Sequence, residues 1–177
     1  MQKICIPFFL LVTTITTAQI NSNSQWKWMK GDSIVDVAGV YGIQGIASAT
    51  NKPRAISGAV SWTDALGNLW LFGGYHCVTA NNYCGRANDL WKYDPSSNMW
   101  TWMKGDTTAD APGIYGTQGI AASTNKPGAR DAAFTWTDAS GNLWLFGGYG
   151  WATNGEAELN DLWKYDPLLD SWTQMAD

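Results

Sequence analysis

The stretch Gly67-Asn68-Leu69-Trp70-Leu71-Phe72-Gly73-Gly74-Tyr75 decides the fold, because it returns unchanged at 141–149, an offset of 74 residues. The Gly-Asn pair before the apolar run is a turn signal, since both residues tolerate positive φ. Leu-Trp-Leu-Phe is too short for a helix and too apolar for a loop, so it predicts a strand buried on both faces. A stretch repeated this faithfully is typical of a structural unit stacked on its own copy.

Three further kinds of segment recur and complete the predicted unit. They are a Ser/Asp-to-Asp strand (57–64 and 131–138), an Asn-Asp-Leu-Trp-Lys-Tyr-Asp-Pro strand (88–95 and 160–167) and a Trp-rich strand (25–30, 99–104 and 171–175). With 12 Trp, 19 Gly and 14% aromatic residues, the composition favours an all-β protein. We therefore predict two four-stranded antiparallel blades, at 54–104 and 128–175, preceded by an orphan outer strand at 25–30.

These residues resemble a kelch motif, in which a Gly-Gly pair follows an apolar strand and a Tyr and a Trp come later, with six residues between them. Two sets show this spacing: Gly73-Gly74, Tyr93 and Trp100, then Gly147-Gly148, Tyr165 and Trp172. The resemblance implies a kelch-type β-propeller of the galactose-oxidase-type superfamily, in a long-loop version like those of secreted bacterial proteins. Propellers close with roughly 4–8 blades, so residues 25–177 would form a partial propeller. Either further blades are missing from this chain or copies of it assemble into a homo-oligomer.

Residues 1–18 have the pattern of an export signal. Lys3 precedes an almost wholly apolar run at 4–12, and Thr16-Thr17-Ala18 places small residues before a cleavage point. A polar lead-in at 19–24 follows. The apolar run is too short to span a bilayer comfortably, so we predict a secreted or cell-surface protein with no membrane insertion after signal removal.

The cysteines that remain after export are Cys77 and Cys84. An even pair in an oxidising compartment favours a disulfide. A metal site would need more ligands, and His76 is the only histidine of the chain. We therefore predict a disulfide, no metal site and no cofactor.

The formal net charge is −4, and no basic cluster occurs. Nucleic-acid binding depends on Lys and Arg that neutralise phosphates, so the sequence argues against a nucleic-acid partner. It also lacks the polybasic segment that would hold it on anionic lipid.

The connections predict one face built for recognition. In a meander blade alternate connections emerge on the same side, which places two long loops (33–53 and 107–127) beside two shorter ones (75–87 and 149–159). Exposed loops on a rigid scaffold commonly carry binding residues. The candidate binding residues are Trp151, Asn154, Arg86, Tyr41 and Tyr115. Because Tyr41 and Tyr115 recur in the repeat, the alternative for these two is that they pack the loop against its neighbour.

The predicted function is non-catalytic binding of a protein or carbohydrate ligand through this face, with no catalytic residues. One alternative is a fragment of a galactose-oxidase-like or other propeller enzyme whose catalytic residues are not in this chain. Such an oxidase would need two histidines, and this chain has one. Another alternative is a purely structural segment of a larger surface protein. A recurring Gly-Asp-x3-Asp pattern lacks the spacing of an EF-hand, so its aspartates are interpreted as turn residues: Asp32, Asp36, Asp106 and Asp110.

Overall fold

The computed structural model describes residues 25–78 and 83–176, and all of its named elements are β-strands. The predicted export signal and lead-in lie outside the described residues. Among the residues described, no helix is long and apolar enough to span a membrane. The strands are β1 (Val60–Thr63), β2 (Leu69–Phe72), β3 (Tyr75–Val78), β4 (Tyr83–Arg86), β5 (Leu90–Asp94), β6 (Met99–Lys104), β7 (Arg130–Asp131), β8 (Phe134–Thr137), β9 (Leu143–Trp151), β10 (Glu156–Asp166) and β11 (Ser171–Ala176).

The strands form two antiparallel blades, as the repeat predicts. Blade one has the order β1-β2-β5-β6, and β3 and β4 form a separate two-stranded ribbon between β2 and β5. Blade two has the order β8-β9-β10-β11, with the short β7 also paired to β9. Its long strands β9 and β10 continue through the region where blade one has its separate ribbon. The fold is therefore all-β, with two kelch-type propeller blades.

An aspartate side chain closes the turn between the first two strands of each blade. In blade two, Asp138 accepts hydrogen bonds from the backbone N–H and the side-chain amide of Asn142 and from the indole N–H of Trp144. These bonds, with Asn142 contributing most, lower the pKa of Asp138 to about 2. Asp64 receives the same set of bonds in blade one. The recurring Asp-to-Trp segment therefore encodes its own turn.

The core lies between the two blades. We call the side of blade one that meets blade two its forward face, and the opposing side of blade two its rear face. Aromatic rings interlock across the contact: Trp70 lies 5.6 Å from Tyr165, and Phe72 lies 5.6 Å from Trp172. The buried members are Trp62, Trp70, Phe72 and Leu90 on the forward face and Leu143, Leu145, Trp163, Tyr165 and Trp172 on the rear face.

The Gly-Gly pair lies where the backbones of the two blades approach each other. Gly73 and Gly74 both have positive φ, at 66° and 101°. A Cβ at Gly73 would lie 2.5 Å from the carbonyl oxygen of Arg130. Both the conformation and the close approach therefore require glycine here.

The middle parts of the long loops cover the outer edge of each blade. Gly45 N–H donates to the carbonyl of Trp102 in β6, and Ser48 forms a bridge with Trp100. In blade two, Gly119 N–H donates likewise to β11. The prediction that these loops lie wholly on one face is wrong, because an outer strand leaves free backbone groups that the loops can pair.

The predicted orphan strand at 25–30 is not a strand in the structure. Within the described part of the chain this segment has no ladder partner, and a strand needs a hydrogen-bonded neighbour. The side chain of Trp26 is fully exposed, at 103%. Only Lys30 is anchored, because its ammonium group donates to the carbonyls of Ala49 and Asn98.

Candidate binding site

Each blade holds a buried aspartate at the end where its second strand connects to its third, β2 to β5 in blade one and β9 to β10 in blade two. Asp89 immediately precedes β5, and Asp161 occupies the matching position in β10. Each accepts the indole N–H of the tryptophan two residues further on, Trp91 at 3.0 Å and Trp163 at 2.8 Å. A carboxylate is therefore fixed at the same place in both repeats.

A tyrosine from each long loop donates to this carboxylate. The hydroxyl of Tyr41 bonds to Asp89, and that of Tyr115 bonds to Asp161. Both rings also lie 5.0 Å from the neighbouring tryptophan ring. Burial and the adjacent negative charge raise the pKa of both phenols well above the ordinary value. The two tyrosines thus pack the loop ends onto their blades, which is the alternative that their recurrence suggested.

Arg54 lies beside the blade-one carboxylate. Its Nε is 3.7 Å from Asp89, and its Nη2 contacts the hydroxyl of Tyr41 and donates to the carbonyl of Thr107 at 2.8 Å. The remaining nitrogen, Nη1, contacts Nε2 of His76. The guanidinium therefore connects the long loop, the buried carboxylate and the only histidine.

His76 is 96% buried, with 4% of its surface exposed. A guanidinium has donors only, so Nε2 of His76 must accept from Arg54. Burial, together with the charge of Arg54, lowers the pKa of this imidazole. The neutral ring therefore carries its proton on Nδ1, and Nδ1 has no hydrogen-bond partner among the described residues.

Two small cavities share His76 as a lining residue. One has a volume of about 300 Å³ and the other about 410 Å³, and both are lined by Ala55, His76 and Cys77. The remaining walls are mainly small or apolar: Val37, Ala38, Gly39, Tyr41, Arg54 and Thr107 in the first, and Val35, Asp36, Ile56, Ser57 and Tyr75 in the second. The walls therefore combine small apolar side chains with a few polar ones, and His76 adds a buried donor that has no partner among the described residues.

Blade two does not repeat this recess. Arg130 lies two repeat positions away from Arg54 and bonds Asp161 through both terminal nitrogens, at 2.5 and 2.8 Å. Burial alone would raise the pKa of Asp161, but the bonds and charge of Arg130 outweigh it and keep the pKa low. Gly150 stands where blade one has His76. The candidate site is thus confined to blade one.

The predicted binding residue Arg86 joins the two blades. Its guanidinium makes ion pairs with Asp131 and Glu156 of blade two. Its central carbon lies 5.5 Å from the ring of Tyr75 and 4.5 Å from that of Tyr149. Its charge is therefore satisfied inside the protein.

The other predicted residues lie around the β9–β10 hairpin. Asn154 is exposed at its tip and lines a larger cavity of about 840 Å³. Trp151 is half-buried at the end of β9, and its indole N–H is buried without a hydrogen-bond partner in the described chain. Trp151 does not line that cavity, so the two residues do not share one pocket.

Cys77 and Cys84 lie opposite each other on β3 and β4 and form a disulfide, with their Cα atoms 4.0 Å apart. This is the pair predicted from sequence. The bond closes the ribbon directly after His76 and therefore holds one wall of the two small cavities.

Sequence reasoning missed Arg54 and His76 as site residues. The available signals were the position of the only histidine beside a cysteine and an arginine in the loop end 51–56 that is displaced by two residues in the second copy. Over residues 25–78 and 83–176, no group of three or more His, Cys, Asp or Glu side chains is arranged to hold a metal ion. Of the recurring aspartates, Asp32 and Asp106 pair with Lys52 and Lys126.

Comparison with known proteins supports the blade architecture. The family model described as the kelch motif matches residues 140–177. This range begins at the turn before β9 and ends with β11, so it covers most of blade two. No curated protein sequence matches the chain.

Among solved structures, one entitled "Structure of YjhT" is similar to this chain. The match has a TM-score of 0.52 and 16% sequence identity, and it covers 73% of this chain and 40% of that structure. This chain therefore spans less than half the length of that protein. At this identity the similarity concerns the fold alone.

Proposed function

We propose that this chain, a kelch-repeat β-propeller protein by motif and fold, is an exported, non-catalytic module that binds a protein segment at the His76 recess. The observation that carries the proposal is the Nδ1–H of His76, a buried donor without a partner among the described residues, on a side chain that lines two cavities. Leaving a buried donor unsatisfied costs about 1–3 kcal/mol. A ligand that supplies an acceptor would recover that free energy on binding.

The chemistry of the recess favours a peptide over a glycan. A peptide offers a carbonyl acceptor next to a side chain at every residue, and the recess offers a donor next to small apolar walls such as Val37 and Ala38. A glycan instead presents several hydroxyl groups that need many polar partners. We therefore infer an extended segment whose carbonyl accepts from His76 and whose small apolar side chain lies against Ala55.

The proposal of export rests on the pattern of residues 1–18 and on the cysteine pair. Disulfides persist in oxidising compartments, and the Cys77–Cys84 bond is compatible with such a location. The bond also stabilises the ribbon that carries His76, so export and ligand binding would be linked through it.

The non-catalytic part of the proposal rests on the state of the ionisable groups near the recess. Asp89 already accepts from Tyr41 and Trp91, and Arg54 is bonded to Tyr41, His76 and a backbone carbonyl. A general acid or base needs a free position toward its substrate. Nδ1 of His76 has no hydrogen-bond partner among the described residues, and a lowered pKa keeps the ring neutral, so that it serves as a hydrogen-bond donor.

The test uses the oxidised chain without residues 1–18, labelled and applied to a peptide array and to a glycan array. We expect binding to peptides with small apolar residues, weakened at least tenfold by His76→Phe, which keeps a ring but removes the donor. Thr137→Ala, an exposed side chain in β8 at the opposite end of blade two, is the matched control and should bind like the wild type.

Two outcomes contradict the proposal. Glycan binding without peptide binding would show that the ligand class is wrong. Equal binding by the His76→Phe variant and the wild type would show that the recess is not the site.

A further inference from the structure

Blade two exposes the apolar face that blade one buries. We call the side of blade two that points away from blade one its forward face, by analogy with blade one. Trp62 is 5% exposed in the core, whereas its repeat counterpart Trp136 is 45% exposed. Phe72 is 1% exposed, and its counterpart Phe146 is 40% exposed. A contiguous aromatic surface of this kind is a typical protein interaction site.

Blade one leaves the complementary side open. The rear face of blade one carries the repeat counterparts of the blade-two residues that pack against blade one in the core. Leu143 is fully buried, whereas its counterpart Leu69 is 44% exposed. Trp172 is buried, but its counterpart Trp100 is only half-buried. The chain therefore has an open forward face on blade two and a partly open rear face on blade one, where Trp91 and Tyr93 are already buried. The residue types of the two faces match those of the internal contact.

A large cavity beside blade two lies next to the same open forward face. In blade one, Asn88 is buried because its side chain bonds the backbone N–H and carboxylate of Asp106 and the carbonyl of Pro127, at 2.9–3.2 Å. Its counterpart Asn160 is exposed and lines the cavity of about 840 Å³. The cavity is thus the space that the connecting segment fills at blade one.

We propose that the forward face of blade two binds the rear face of blade one of a second copy of this chain. The internal contact between the blades predicts the bonds. Trp62 donates its indole N–H to the carbonyl of Trp144 at 3.0 Å, so Trp136 donates to the carbonyl of Trp70 of the second copy. Asn160 bonds Asp32 and Pro53 of the second copy, the counterparts of Asp106 and Pro127.

The matching donors and acceptors favour a second copy over an unrelated partner. Trp136 has no hydrogen-bond acceptor within the described chain, and neither has the side-chain amide of Asn160. A second copy supplies an acceptor for each at its open rear side. The aromatic pairs also recur, because Phe146 would meet Trp100 as Phe72 meets Trp172, at 5.6 Å between ring centroids.

The contact between copies lacks the ion pairs of the internal one. Glu158 stands at the repeat position of Arg86, and Ser57 at that of Asp131. The arginine that joins the two blades therefore has no counterpart between copies. Association rests on the apolar faces and on Asn160, so we expect it to depend on protein concentration and to be insensitive to salt.

The unpaired segment 25–30 is compatible with this arrangement. It is the repeat counterpart of β6 and β11. In the assembly the outer-strand position next to blade one is filled by β11 of the neighbouring copy, so residues 25–29 remain outside the sheet, as they are here. Trp26 and Trp28 are then exposed aromatic residues that do not contribute to the contact.

A contact between two different faces is head-to-tail, and it forms a ring when the rotation from copy to copy completes a full turn. Because propellers hold roughly 4–8 blades, closure needs about two to four copies of this two-bladed chain. Multi-angle light scattering of the oxidised chain should give a discrete mass in that range, falling to a monomer on dilution.

Two charge variants test the pairing of faces. Phe146→Asp disables the forward face, and Leu69→Asp disables the rear face; both positions are exposed, so the fold tolerates them. Each variant alone should be monomeric, and an equimolar mixture should form a 1:1 dimer through the two intact faces. The control variant Trp26→Ser/Trp28→Ser should assemble like the wild type.

Three results would overturn the proposal. A wild-type monomer at high concentration means that no copy binds. Assembly by Leu69→Asp alone means that two forward faces meet each other. Loss of assembly in the Trp26→Ser/Trp28→Ser control means that association proceeds through the 25–30 segment.

Discussion

Arg54 and Arg130 bring a guanidinium to equivalent buried carboxylates from backbone positions that differ by two residues in the repeat. Gly128 stands at the repeat position of Arg54, where a Cβ would lie 1.7 Å from the carbonyl oxygen of Trp151. Blade two therefore cannot place its arginine there. Both blades thus pair the buried aspartate with an arginine, but the arginine comes from a different repeat position in each. The space beside the carboxylate therefore differs between the blades.

Removing the blade-two arginine should destabilise the protein strongly. Arg130→Met leaves Asp161 buried and uncompensated, which we expect to cost about 3–5 kcal/mol in urea unfolding. The double variant Arg130→Met/Asp161→Asn removes the charge as well and should recover part of that loss. If the single and double variants are equally unstable, the ion pair is not what stabilises this position.

Stability should fall on mild acidification because of His76. Its pKa is lowered in the folded state, so below about pH 6.5, the ordinary pKa, the unfolded chain binds more protons than the folded chain. The loss then grows by at most about 1.4 kcal/mol per pH unit until the folded pKa is reached.

His76→Phe removes this titration, so its melting temperature should depend less on pH between 7.5 and 5.5. Asp161 has a lowered pKa and titrates below this window. Identical pH profiles for the wild type and the variant would contradict the assignment.

Truncation of the central tryptophans should unfold the blades. Trp91 and Trp163 are fully buried, and loss of a buried Trp costs about 3–5 kcal/mol, a large share of a domain's stability. Thermal melting of Trp91→Ala and Trp163→Ala should therefore shift far below the wild type. Trp28→Ala, at an exposed position, is the control and should melt unchanged.

The disulfide should be present in the exported protein and should stabilise the ribbon that carries His76. Cys77 and Cys84 are seven residues apart, and closing a loop this short contributes about 2–3 kcal/mol. Non-reducing peptide mapping should show the linked peptide. Two free thiols in the exported protein would disprove the prediction. The variant Cys77→Ser/Cys84→Ser should both weaken peptide binding and lower the melting temperature.

The repeat alone determined the blades. Turn residues such as Asp138, the strand that follows and the Gly73-Gly74 pair act within or next to one copy, so their pattern in the sequence carries the strand order directly. The cysteine pair was predictable for the same reason, because its two members are close along the chain.

Tertiary structure alone decided the rest. The long loops were expected on one face, but the middle of the first one pairs with backbone groups of the outer strand at 100 and 102. Side-chain patterns in the sequence do not predict such backbone pairing. The strand predicted at 25–30 has no ladder partner in the described structure, and a strand exists only beside another. The His76 recess depends on where Arg54 reaches across from a distant loop. Contacts between residues far apart in the chain are set by packing, and a local sequence pattern does not record them.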